Sequence, residues 1–170
     1  RFFEHDQLRQ FNIVIANPPF SLKEWGAENW TNDIYGRNIA GIPPKGNGDM
    51  AWVQHMIKSM NTSNGRVAVV LPHGALFRKG AEAKIRAALL EMDLLEAVIG
   101  LGPNIFYGAT LSACIMVFRA QKNKESKSKV LFIDAADQVR TGRAQNFLDP
   151  EHIQTIYQWY QQFERSEERR

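Results

Sequence analysis

Sulfur chemistry is nearly absent from this chain: its 170 residues include one cysteine, Cys114. A single thiol excludes an internal disulfide and fits a reducing compartment, so a cytoplasmic location is expected. The histidines and Cys114 fall at no zinc-ligand spacing, and no metal site is expected. No apolar run approaches the ~20 residues of a membrane helix. No signal peptide is visible at the start. Neither sign of charge dominates: 21 Lys and Arg against 18 Asp and Glu leave +3. That balance permits nucleic-acid binding without arguing for it. Internal repeats and low-complexity tracts are missing too. Arg1 rather than Met stands first, as expected of a piece of a longer protein.

What is present suffices for one domain with a real core, since 44% of the residues are hydrophobic. Residues 1–164 are expected to form it, with 165–170 as a charged tail, and a frayed stretch starting at Glu164. Apolar runs at Ile13–Ala16, Arg66–Leu71, Leu94–Ile99, Ser112–Phe118 and Val130–Ile133 read as strands, the last at a sheet edge. Val53, Met56, Ile57 and Met60 recur at helical spacing, with Asp49 as the expected cap and Asn64-Gly65 as the expected stop. A second helix follows Gly80, with Ile85, Leu89 and Met92 on one face. Pro150 to Phe163 makes a third, with Ile153, Ile156, Tyr157 and Tyr160 on one side.

Strands alternating with helices imply an α/β fold with a mostly parallel sheet and helices on both faces. The short Gly-rich link before Ser112 favours an antiparallel hairpin at the end of the chain's sheet. Ser21 to Asn47 sustains no period. It is either a functional long loop or a disordered excursion. Gln121 to Lys129 holds four lysines and reads as a solvated hairpin tip in preference to a DNA contact.

Asn17-Pro18-Pro19-Phe20 is the most informative motif. It ends the first strand, at the sheet edge where open α/β folds bind ligands. Two prolines remove two backbone donors and leave carbonyl oxygens free to face a ligand. The Asn17 amide adds a further acceptor. Two acceptors and the Phe20 ring suit a planar exocyclic amine such as N6 of adenine. The same residues also suit a plain Pro-Pro turn with Phe20 in the core.

The motif resembles the catalytic turn of amino-group methyltransferases that use S-adenosylmethionine. Related motifs serve DNA adenine, RNA guanine and protein glutamine methylation. From Phe11 to the C-terminal helix the chain looks like the modification (methylation) subunit of type I restriction-modification systems, an N6-adenine DNA methyltransferase family. The matching stretches are Ile15 to Ser21, Gly48 to His55, Gly65 to Gly74, Asp93 to Leu101 and Val130 to Ala135. Several ordered matches are far more specific than one tetrapeptide.

The resemblance implies a Rossmann-like methyltransferase fold, with this chain holding its later strands. It implies that Asn17, Pro18, Pro19 and Phe20 form the catalytic turn, with Asn17 and Pro18 holding the adenine N6 and Phe20 stacking on the flipped base. A second aromatic is expected at Phe106, with Tyr107 as the near alternative, although core packing explains Phe106 equally well. Asp49 and His55 match family positions, where a helix cap and a plain helix residue are the preferred readings. His73 is expected to be a loop histidine with a backbone partner, and approach to substrate is the other reading.

Implied too are S-adenosylmethionine as cofactor, contacted here through Asn17, and DNA, a specificity (S) subunit and a restriction (R) subunit as partners. The family's donor-binding turn belongs upstream of Phe11, and Arg1 to Gln10 is too short to contain it. The competing expectations are an enzyme acting on RNA guanine or protein glutamine, and a non-catalytic assembly fragment.

Overall fold

The structure, a computed structural model, describes residues 3–4, 7–106 and 111–165. A small antiparallel pair, β1 (Phe3–Glu4) and β2 (Gln7–Leu8), precedes the main sheet. Then come β3 (Ile13–Ala16), α1 (Asp49–Lys58), β4 (Arg66–Pro72), the short α2 (Gly74–Phe77) and α3 (Ala81–Glu91). The chain closes with β5 (Leu95–Leu101), β6 (Ala113–Arg119), β7 (Leu131–Ala135) and α4 (Pro150–Arg165).

The main sheet has the order β3-β4-β6-β5-β7. β3 runs parallel to β4, and β5 parallel to β7. β6 is antiparallel to both of its neighbours. Four strands therefore share one direction and β6 alone is reversed. The expected hairpin exists and β7 takes the edge as expected, but β6 slots between β4 and β5. The short link from β5 to β6 forbids a parallel crossover. Register along β4 places Val67 opposite Phe118 and Leu71 opposite Cys114.

Strand alternation makes two cores. Val67, Val69 and Leu71 face one side with Met116 and Phe118, beneath Met50 and Val53 of α1 and Ile85 of α3. Ile99, Leu101, Ile133 and Ala135 gather on the second core with Ile156 of α4. Tyr160 pins α4 to the sheet: its hydroxyl donates to Glu96 Oε2 at 2.5 Å. Glu96 is buried on β5, and its other oxygen faces Arg119 Nη1 at 3.2 Å. The second face stays open over β3, where Ile13 is 68% and Ile15 77% exposed. An apolar groove of about 620 Å³ runs from these residues past Val70 and Phe106 to Ile153 and Tyr157 of α4.

Several local expectations change. α1 stops at Lys58, well before Asn64-Gly65. The cause is Phe11, whose N–H donates to Ser59 O at 2.9 Å and whose carbonyl accepts from Asn61 N–H at 2.9 Å. Those bonds pull the chain out of the helix. Gly65 is not left-handed; a Cβ there would collide with Met60 Cγ and the Asn61 backbone. β5, β6 and β7 each lie one or two residues downstream of the predicted runs. α2 carries too few residues to show a period. α4 extends to Arg165, so the stretch predicted to fray from Glu164 begins inside a helix. In the lysine-rich turn, Lys122 is not solvated: its Nζ lies 2.6 Å from Asp93 Oδ1 and its side chain is buried.

The 21–47 segment is an ordered excursion. Trp30 is buried, with Trp25 edge-on at 5.4 Å and the Arg37 guanidinium 4.9 Å over its ring. Asp33 holds Arg37 in place through Oδ1, 2.9 Å from Nε.

Candidate active site

β3 delivers Asn17 to the carboxyl edge of the sheet. Asn17 is exposed, and its amide makes no hydrogen bond among the described residues. Pro18 and Pro19 contribute no N–H to compete with it. Phe20 is half-buried and meets Phe106 edge to face, ring centroids 6.0 Å apart at 73°. The structure thus brings together the two aromatics that the sequence places 86 positions apart (106 minus 20). Phe106 also packs on the second core. An edge-to-face pair offers one ring face and one ring edge to a planar ligand. Only one of the two rings can lie flat on a base while the pair persists. Tyr107 lies outside the described residues.

Phe106 sits on a braced loop after β5. Gln145 Nε2 donates to Ile105 O at 2.6 Å, and Asn146 Nδ2 to Pro103 O at 3.0 Å. Asn146 N–H reaches Asn104 O at 2.8 Å. Asn104 has φ +57°, a backbone state that asparagine tolerates better than most residues. At the root of this loop, a Cβ on Gly102 would sit 2.6 Å from Ala136 O, so only glycine fits. His73 follows β4 at the same edge. Its N–H donates to Ser112 O at 3.1 Å, as expected for a backbone-tied loop residue. Its Nε2 is buried beside Gly100 and has no hydrogen-bond partner among the described residues.

The chain leaving the turn is clasped at once. Ser21 is left-handed, φ +52°, and its N–H donates to Asp49 Oδ1 at 2.8 Å. Leu22 O accepts from Gly48 N–H at 2.9 Å. Asp49 is fully buried, and its second oxygen takes a short bond from Arg78 Nη2. Arg78 Nε donates to Glu82 Oε2 at 2.8 Å. Burial lowers the Arg78 pKa, but Glu82 and Asp49 outweigh it and hold the guanidinium above its ordinary value. The expected helix cap is therefore wrong: Gly48 occupies the cap position, and the Asp49 carboxylate turns away from its own helix.

Farther along α1, buried Gln54 accepts from Ala40 N–H at 2.8 Å and donates to Gly41 O at 3.0 Å. Sequence reasoning missed Gln54, Arg78 and Gln145. Gln54 had a signal, a polar residue four after Met50 and three before Ile57 on the apolar face. Arg78 had Glu82 four residues on but nothing that pointed to Asp49, 29 residues away, and Gln145 had none, because Ile105 is 40 residues away. His55 is partly buried; burial first and the Arg37 charge second lower its pKa. Burial, aided by the Asp49 charge, pushes the Cys114 thiol up to about 12.

No group of His, Cys, Asp and Glu among the described residues could hold a metal ion. No helix among them is long and apolar enough to cross a membrane.

A sheet with one reversed interior strand, helices on both faces and an Asn-Pro-Pro-Phe turn at its carboxyl edge defines a Rossmann-like S-adenosylmethionine-dependent methyltransferase fold. The family model for N-6 DNA methylase matches residues 3–169. The chain belongs to that family. It is 34% identical over 163 residues to the type I restriction enzyme MjaIX methylase subunit of Methanocaldococcus jannaschii, covering 93% of this chain and 29% of that protein. With the HindI methylase subunit of Haemophilus influenzae it shares 38% over 128 residues, 75% of this chain and 28% of that one. A crystal structure of a type I restriction-modification methyltransferase subunit from Streptococcus thermophilus superposes with a TM-score of 0.81 at 35% identity. That match covers 91% of this chain and 32% of the other. The chain thus spans under a third of the length of these relatives.

Proposed function

We propose that this chain carries the catalytic turn of a site-specific DNA adenine-N6 methyltransferase, the modification subunit of a type I restriction-modification system. The observation that carries the reading is the exposed, uncommitted Asn17 beside the Phe20–Phe106 pair at the sheet's carboxyl edge. The target adenine leaves the duplex to reach this edge. The Asn17 amide oxygen and the Pro18 carbonyl accept hydrogen bonds from the two N6 N–H groups. That pull draws the nitrogen towards tetrahedral geometry and localises its lone pair. Phe20 lies flat on the base, and Phe106 meets it edge-on, which fixes the base plane. Catalysis is then mostly positioning and preorganised electrostatics. The amine loses its proton to solvent after attack, so no strong base is required.

S-adenosylmethionine supplies the electrophilic methyl group when bound. The share of its site present in this chain is the turn itself, where the unpartnered Asn17 amide fits such a contact. Residues 1–164 form the C-terminal portion of the catalytic domain in this reading. DNA, a specificity subunit and a restriction subunit are the partners, in the cytoplasm.

The test is labelled methyl transfer to DNA by the full-length subunit with its specificity partner, followed by nucleoside digestion. The label is expected on N6-methyladenine and is lost in Asn17→Ala with the fold intact. Activity above about a tenth of wild type in Asn17→Ala overturns its role, because an acceptor used in the transition state is worth more than that factor. Label on RNA guanine or protein glutamine replaces the substrate assignment.

A further inference from the structure

We infer that Asp49 is a positioning residue for methyl transfer, acting through the backbone of Ser21. The inference rests on the reading of Asn17 to Phe20 as the catalytic turn. It assigns a task to a buried carboxylate that this reading does not use.

Ser21 directly follows Phe20 and has φ +52°. That region disfavours a residue with a Cβ, and single excursions into it persist only where the surroundings over-determine them. The surroundings here are specific. Asp49 Oδ1 receives the Ser21 N–H at 2.8 Å, and Gly48 N–H holds Leu22 O at 2.9 Å. Asp49 cannot swing away, because Arg78 bonds its other oxygen. Arg78 is fixed in turn by Glu82 at 2.8 Å, and Arg86 Nη2 donates to the Arg78 carbonyl at 2.7 Å.

A rigid chain of bonds therefore runs from α3 to the residue after the turn. Released from it, Ser21 relaxes to negative φ, and the peptide plane between Phe20 and Ser21 rotates. Phe20 and the Pro18 carbonyl move with that plane. Misplacement of reacting groups by about 1 Å costs on the order of a hundredfold in rate. Binding of DNA or donor through other surfaces is untouched, so the effect falls on kcat.

The experiment uses the full-length subunit with its specificity partner, steady-state methylation of duplex DNA, and thermal unfolding alongside. Asp49→Ala should lower kcat by about tenfold or more, with both KM values within about twofold. Glycine adopts positive φ freely, so Ser21→Gly in the Asp49→Ala background should restore kcat by about fivefold. A purely structural carboxylate gains nothing from that second change. Ser21→Val is the independent variant: Ser21 is exposed, the core is untouched, and a β-branched residue resists the left-handed state. It should lower kcat by about tenfold with Asp49 intact.

Full kcat in Asp49→Ala or in Ser21→Val overturns the inference. So does a loss in Asp49→Ala that Ser21→Gly leaves unrepaired. Should Asp49→Ala not fold, Ser21→Val alone decides. A wild-type complex that puts no methyl on adenine refutes the substrate reading instead, and the two failures are distinct.

Discussion

Tyr160→Phe removes a hydroxyl whose hydrogen bond ties α4 to the sheet. Glu96 is 1% exposed, and its Oε2 accepts from the Tyr160 hydroxyl at 2.5 Å. A bond to a charged group contributes about 1.5–3 kcal/mol net. The phenylalanine ring refills the space, so no cavity cost is added. Arg119 still faces the other carboxylate oxygen at 3.2 Å and offsets part of the loss. The expected destabilisation is about 2 kcal/mol. For a domain of this size that lowers Tm by about 4–8 °C. Urea unfolding followed by tryptophan fluorescence should give a lower midpoint with an unchanged m value. Adding Glu96→Gln should cost less in the Tyr160→Phe background than alone, with a coupling of about 1 kcal/mol. A loss under about 0.5 kcal/mol is the level of an ordinary surface change and refutes the assignment. The consequence reaches the site, because α4 closes the same second core on which Phe106 packs.

Four other predictions concern the site and its supports. Phe20→Ala should weaken transition-state binding by about 1–3 kcal/mol, with Phe20→Tyr and Phe20→Trp milder; equal losses in all three, read from kcat/KM, would make Phe20 a packing residue. Gly48→Ala puts a Cβ 2.9 Å from Trp25 Cβ, so near-UV circular dichroism should change and unfolding should cost about 1–3 kcal/mol less. Cys114, buried and with its pKa pushed up to about 12, should resist alkylation at pH 8 until the protein is unfolded by urea, and prompt labelling of the native protein would contradict that. His55 has a folded pKa below its ordinary 6.5, so the unfolded chain binds its proton first on acidification. Its contribution is present above pH 6.5 and declines as pH falls through the folded pKa, and His55→Gln should flatten that limb of the stability profile.

Much of the fold is legible because burial leaves a period. β4 reads as a strand from Arg66-Val67-Ala68-Val69-Val70-Leu71, and α3 from Ile85 and Leu89. The hairpin of β5 and β6 follows from a link too short for a crossover. Which strand lies inside does not, since β4 and β6 pair across more than forty residues with no mark in the sequence. The end of α1 is not legible for the same reason: the bonds that stop it come from Phe11, far upstream. At the candidate site, Asn17 to Phe20 stand out by composition, whereas Phe106 is expected only through the family resemblance. Asp49 looked like a helix cap because caps are local and its actual partners are not. Ser21 is 28 residues away and Arg78 is 29. The resemblance to type I modification subunits reached the family from ordered matches. It could not have supplied the Ser21–Asp49 bond, which exists only in three dimensions.

The clasp between Ser21, Leu22, Gly48 and Asp49 also separates the Asn17-to-Phe20 turn from the length of what it encloses. With the ends bonded to each other, an insertion near the exposed Thr31 and Asn32 is absorbed inside a closed loop. Doubling such a loop costs only about 0.6 kcal/mol of closure entropy. The turn feels none of the added length, because its exit geometry is set at Asp49. The excursion is thus a module: a place where new surface can be acquired, by evolution or by grafting, while the four residues beside it keep their geometry.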